Sequence, residues 1–193
     1  MTVEVSKQLI ENIQEQINLF HTHWSVKING LLWENMLHNA LVKAGYKSSW
    51  DNGSHQKGVD IVCENTRISC KGGQIEGKRT PRLKISSHRS TTYETFEEKI
   101  NFFCTDFEDE TWSIVLLNEN TYRVHVLSKP NLREFVWTQM KSGWKGVNNE
   151  TGDKANISDK MSGQLWYDLL YDNILKDNKY YDFTIPQQTQ QFA

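Results

Sequence analysis

Gly58-Val59-Asp60-Ile61-Val62-Cys63-Glu64-Asn65-Thr66-Arg67-Ile68-Ser69-Cys70-Lys71-Gly72-Gly73 is the stretch on which the fold turns. Two short β-type runs flank the polar pair Glu64-Asn65, which predicts a hairpin with a two-residue loop. With that loop, Ile61 faces Ile68 and Val59 faces Cys70 on one side of the ribbon. Asp60 then faces Ser69 on the other side, with Lys71 two positions further along the same face. One face is apolar and suited to packing on a helix. The other carries an acid, a hydroxyl and a lysine, followed by two glycines. An aspartate and a lysine on a rigid strand pair suit metal-assisted attack on a phosphodiester: the acid holds a divalent cation, while the lysine orients or deprotonates water and offsets charge on the phosphorane. Taken alone, Asp and Lys on neighbouring strands most often form an ordinary surface ion pair, so the surroundings decide.

Upstream, Ile10, Ile13, Ile17 and Phe20 recur at helical spacing and predict an amphipathic helix over 7–20. His21 and His23 follow in a polar segment, more in keeping with a structural role than with metal binding. A second helix is predicted over 30–44, with Leu31, Leu37, Leu41 and Ala44 as its stripe and Gly45 as its stop. Glu34 lies within that stripe, either at its edge or directed inward towards a partner. Tyr46–Trp50 reads as a strand and Asp51-Asn52-Gly53-Ser54 as a turn. Beyond Gly73 the chain is polar, basic and broken by Pro81. Ser86 to Thr92 reads as a loop whose hydroxyls, histidine and arginine suit contacts to phosphates and base edges.

Thr95–Cys104 is predicted helical, with Glu97 and Glu98 early in favour of its dipole, and Trp112–Leu117 and Tyr122–Leu127 as paired strands. Pro130 is expected to start a helix reaching Met140, Ser142–Ile157 to be a loop, and Ser158 to cap a last helix carrying Met161, Leu165, Leu169 and Ile174. The tail from Pro186 is expected to fray.

With 193 residues, 37% hydrophobic and 24% charged, the chain fits one soluble domain with a substantial core. No apolar run is long enough to span a membrane, and the amphipathic N-terminus is unlike a signal peptide. Cys63, Cys70 and Cys104 lack CxxC spacing, against a disulfide framework or a zinc site, and a cytoplasmic location is expected. The net charge of −2 argues against a general polyanion binder. Its distribution is uneven: 67–89 holds seven basic residues against Glu76, and 94–119 eight acids against Lys99. A solvated loop or one basic face for phosphates would each account for the split.

The motif and the order helix, strand, strand, strand, helix, strand, over about 30–127, resemble the PD-(D/E)xK nuclease superfamily and, within it, the small type II restriction endonucleases. The resemblance implies an α/β (α+β) fold with a restriction-endonuclease-like core, a central mixed β-sheet flanked by helices. It implies one nuclease domain over 1–193, with recognition or dimerisation elements over about 130–185. It makes Asp60 the strand aspartate, Lys71 the lysine and Glu34 the helix glutamate of a magnesium site. The acid two residues before the lysine is Ser69 here, a departure from the family pattern. Glu34 gains importance from it; Glu94, Glu97 or Glu98 are other donors, and the Cys70 carbonyl is a further oxygen ligand. Magnesium accepts few protein ligands with several waters.

The resemblance therefore implies a magnesium-dependent endonuclease that cuts double-stranded DNA to 5′-phosphate and 3′-hydroxyl ends, acting as a homodimer on a palindromic site. Lys78, Arg79, Arg82, Lys84, Ser87, His88, Arg89, Asn148 and Asn149 are the expected DNA contacts. A structure-specific resolvase or repair nuclease is the second expectation. A DNA-binding module that has lost catalysis, with Ser69 as its mark, is the third.

Overall fold

The computed structural model describes residues 2–50, 59–90, 93–158 and 163–187. Their order is α1 (Lys7–His23), α2 (Gly30–Lys43), β1 (Ser48–Trp50), β2 (Ile61–Cys63), β3 (Thr66–Glu76), β4 (Arg82–Ser90), α3 (Phe96–Phe103), β5 (Glu110–Asn118) and β6 (Thr121–Leu127). A single 3-10 turn (Leu132–Glu134) leads to β7 (Val136–Met140), β8 (Gly143–Val147), β9 (Lys154–Ser158), β10 (Gly163–Leu170), α4 (Tyr171–Asp177) and β11 (Lys179–Thr184). All eleven strands belong to one mixed sheet in the order β11-β6-β5-β3-β4-β10-β9-β8-β7, with β1 and β2 attached to one edge of β3. The fold is thus mixed α+β around a large central sheet. The turn expected at 51–54 lies outside the described residues.

The central hairpin has the register read from the sequence. Ile61 pairs with Ile68 and Cys63 with Thr66, and the loop residue Glu64 takes a left-handed φ of 52°. Beyond the loop β3 runs on, pairing in parallel with β5 from Ile68↔Glu110 to Gly73↔Val115. Ile68 pairs with β2 and β5 at once, and Gly73 with β4 and β5 at once, so β2 and β4 share the other edge of β3. Between them that edge of β3 carries no strand among the described residues: the sheet forks.

Two cores lie on the two faces. One joins Leu9, Ile13 and Ile17 of α1 and Trp33, Leu37 and Leu41 of α2 to Ile61, Ile68, Cys70, Trp112 and Ile114 of the sheet. The other gathers Phe103 of α3 and Ile174 of α4 on Leu83, Ile85, Val115, Leu127 and Leu165. The stripe of α2 is rotated from the expected one: Trp33, Met36 and Ala40 are buried, and Leu31 is exposed. His21 and His23 end α1 rather than following it.

Four expectations are corrected. The basic loop after Gly73 is mostly strand, since β3 continues to Glu76 and β4 begins at Arg82. The helix from Pro130 is the 3-10 turn followed by β7; the loop over 142–157 contains β8 and β9. The final helix is β10 followed by the short α4. Its residues Leu165 and Leu169 are spaced by four, and four is an even number. Leu165 and Leu169 share a face of a strand as readily as of a helix, and Tyr167 between them is buried too. On β8, Gly146 is required because an added Cβ would stand 2.9 Å from three Trp137 ring atoms. Phe96 of α3 stacks on Trp144 with ring centroids 3.9 Å apart, fastening these strands to the second core.

Candidate active site

Asp60 immediately precedes β2 and its carboxylate turns into the fork. One oxygen, Oδ2, accepts from Cys70 N–H at 2.6 Å, from Ser69 Oγ at 3.2 Å and from Lys71 Nζ at 3.2 Å. The bare edge of β3 explains the arrangement: with no strand beside Cys70, a side chain satisfies its main-chain donor. Ser69 is buried, whereas the Asp60 and Lys71 side chains keep 20% and 17% exposure. The pair is therefore in contact with solvent, as a site acting on a substrate must be.

Glu34 joins them from α2. Its carboxyl is raised above the ordinary glutamate range, first by burial and next by the negative charge of Asp60; Lys71 and the Trp50 indole offset this only in part. The Trp50 N–H is buried and makes no hydrogen bond of normal geometry. The helix is brought in by a close approach of two glycines. A Cβ on Gly72 would stand 3.2 Å from Gly30 N, and one on Gly30 would stand 3.3 Å from Gly72 N. Any side chain at either position would lift the opening turn of α2 from β3. Gly73 is needed for the opposite face, where a Cβ would meet Ser113 Oγ at 2.7 Å.

Glu34 and Lys71 open on a cleft of about 570 Å³ whose lining also includes Lys27, Asn29, Lys84 and Trp166. Asn29 caps α2 by accepting from Leu32 N–H at 3.0 Å. Lys27 reaches the Gly73 carbonyl at 3.4 Å. Asp60 and Glu34 are hard oxygen donors of like charge placed near one another, which is the donor chemistry magnesium takes, with water completing its shell. The Asp60 oxygen other than Oδ2 accepts no hydrogen bond from the described residues, so the donor set fits a divalent cation. Among the described residues no group of three His, Cys, Asp or Glu gathers around a point. Cys70 turns its thiol into the core, where burial raises its pKa well above the usual thiol range; only its main chain faces Asp60. Glu98 is committed to the capping box of α3, with Thr95, and Glu97 is exposed on the same helix.

The expected DNA contacts separate into four groups. Lys78, Arg79 and Asn149 are exposed in turns, and Arg89 is exposed on β4 with its Nε donating to Gln164 at 2.7 Å. Lys84 lines the cleft and pairs with Glu76 at 2.6 Å, and Arg82 donates to the Asp168 and Gly152 carbonyls at 3.0 and 2.9 Å. Ser87 is half-buried at a bulge where β4 shifts register against β10. His88 and Asn148 are turned inward, against expectation. His88 Nε2 lies 2.8 Å from Glu108 Oε2 in a buried pair. Asn148 is buried and accepts from Glu150 and Thr151 N–H, holding its own turn together. The basic run is also largely neutralised: Arg67, Lys71, Arg82 and Lys84 each have an acidic partner.

Sequence reasoning missed Lys27, Gln74 and Trp166. Lys27 carried a signal, standing two residues before the Asn29 cap of the helix that bears Glu34. Gln74 and Trp166 became visible only once β3 and β10 were extended as strands. The chain matches no protein-family model, no curated protein and no solved structure.

Proposed function

We propose that this protein is a magnesium-dependent DNA endonuclease with a restriction-endonuclease-like core. The observation that supports it is the convergence of Asp60, Lys71 and the helix-borne Glu34 at a fork in the sheet, with Lys71 and Glu34 on the wall of a cleft that also carries Lys27 and Lys84. In this proposal Asp60 and Glu34 hold the cation. When bound, magnesium supplies Lewis-acid polarisation of the phosphoryl oxygen. Lys71 orients the attacking water and offsets negative charge as it develops at phosphorus. Lys27 and Lys84 attract the phosphates on either side, a contribution that positions the strand without reading its sequence. The preferred substrate is duplex DNA at a specific palindromic site, cut to 5′-phosphate and 3′-hydroxyl ends by a homodimer, because two-fold protein symmetry mirrors two-fold sequence symmetry.

A second proposal is a DNA-binding module of the same architecture without catalysis. It is favoured by Ser69 standing where the resembling enzymes carry an acid. Incubating the purified full chain with phage-sized DNA and magnesium separates the two. Discrete fragments support the specific endonuclease, and a smear supports a nonspecific or structure-selective one. Intact DNA that is nevertheless retarded in a gel supports the binding module.

No helix among the described residues is long and apolar enough to cross a membrane.

A further inference from the structure

The cleft continues past Lys71 along the sheet. A second hollow of about 250 Å³ shares Gln74, Lys84 and Trp166 with it and adds Asn156, Tyr167 and Asp168. Its centre is a tryptophan in an unusual place. On β10, Leu165 and Tyr167 are buried, while Trp166 between them stands 47% exposed. The neighbours of Trp166 across the sheet are small or polar, Ser86 on β4 and Asn156 on β9. In the next row Asp168 lies between Lys84 and Lys154. The Asp168 Oδ1 atom is buried and accepts no hydrogen bond, and Arg82 Nε is 4.0 Å from it.

An open aromatic face, a carboxylate on the lining of the hollow and a side-chain amide together suit a planar ligand with N–H groups on its edge. A nucleobase has that chemistry: it stacks on indole, and its exocyclic amino group donates to an acid, as cytosine N4 does. The hollow opens from the cleft in which the scissile phosphate is proposed to lie, so a strand placed there has a base within reach of it. We propose that this hollow receives one unstacked nucleobase of the bound strand, sandwiched on Trp166 and read at its edge by Asp168 and Asn156. The identity of that strand rests on the nuclease proposal; the hollow itself rests on Trp166 and Asp168. A base held this way has left its own helical stack.

The test uses the full chain in buffer with EDTA, so that no strand is cut, with short single-stranded homopolymers and duplexes carrying one 2-aminopurine. Wild type should bind oligo-dC more tightly than oligo-dT, which offers no exocyclic amino group. Trp166→Ala should weaken oligonucleotide binding about 10- to 100-fold, while Trp166→Phe keeps most of it. Asp168→Asn should reduce the preference for dC over dT. Circular dichroism and sedimentation confirm that each variant keeps the wild-type fold and mass. Equal affinity of Trp166→Ala and wild type overturns the inference, as does a Trp166→Ala loss that tracks a change in oligomeric mass, which would mark the face as an interface between copies. In a separate assay with magnesium in place of EDTA, cleavage unaffected by Trp166→Ala leaves the nuclease standing and removes the base pocket. Binding that depends on Trp166 without any cleavage leaves the pocket standing and removes the nuclease.

Discussion

Asp60→Ala should do more than silence chemistry, because its Oδ2 also closes the fork. Removing it strands the Cys70 N–H, held at 2.6 Å, and takes partners from the Ser69 hydroxyl and the Lys71 ammonium, each at 3.2 Å. A buried main-chain donor left unsatisfied costs about 1–3 kcal/mol. The Ser69 hydroxyl rotates, and Lys71 keeps access to water, so these two add about 1 kcal/mol together. The expected loss is about 2–4 kcal/mol, a large share of the roughly 5–15 kcal/mol that holds a domain folded. Asp60→Asn keeps the volume and an oxygen for Cys70 N–H, and should cost only about 1 kcal/mol. Both variants lack the carboxylate proposed to hold magnesium, so neither should nick supercoiled plasmid. Urea unfolding followed by tryptophan fluorescence, run beside the plasmid assay, separates the two effects. Wild-type stability in Asp60→Ala would show that the three hydrogen bonds do not hold the fork. Normal cleavage by Asp60→Asn would refute the assignment of the site.

Glu34→Gln should leave the metal-free protein as stable as wild type or slightly more so at neutral pH. The raised pKa means that the folded state holds this proton more tightly, so ionisation above the ordinary glutamate range costs stability; the glutamine should also shrink the rise in melting temperature on adding magnesium. Gly72→Ala should displace the opening turn of α2 by a few tenths of an ångström and cost about 1 kcal/mol, at the low end of overpacking; any cleavage should fall more than stability does, as read by rate and melting temperature. Glu108 is buried, which by itself raises its pKa, yet the hydrogen bond and charge of His88 hold it below the ordinary range. Its contribution to stability is therefore present above that range and lost as pH falls through the lowered value. Melting temperature measured from neutral to acid pH should fall less steeply in Glu108→Gln than in wild type.

The central hairpin was legible because its signals are local. The polar pair Glu64-Asn65 set the loop, the loop set the register, and the register brought Asp60, Ser69 and Lys71 together. The first three helices were legible for the same reason, through apolar residues at helical spacing, Gly45 after α2 and the early Glu97 and Glu98 of α3. The C-terminal half was not. Leu165, Leu169 and Ile174 mimic a helical stripe, and what makes β10 a strand is non-local: β4 on one side and β9 on the other. The inward turn of His88 was equally hidden, since Glu108 is twenty residues away and packs beside it only after α3 folds back. Glu34 was found by its position among apolar neighbours, though the stripe used to find it was partly wrong: Leu31 is exposed, and Trp33 and Met36 do the packing.

Ser69 fits its place better than an acid would, and this bears on how the proposed site could work. The residue is 1% exposed and donates to Asp60 Oδ2. A carboxylate there would face Asp60 at hydrogen-bond range where water does not reach, an arrangement that repels unless a cation lies between or one acid takes a proton. Serine instead adds a hydrogen-bond donor to Asp60. On the proposed reading the second acid has moved from the strand to α2, where Glu34 is half-buried and its pKa is raised by burial and by the charge of Asp60. The position of that acid then depends on the contact of Gly30 with Gly72, so the two glycines after Lys71 contribute to the site by setting where Glu34 stands.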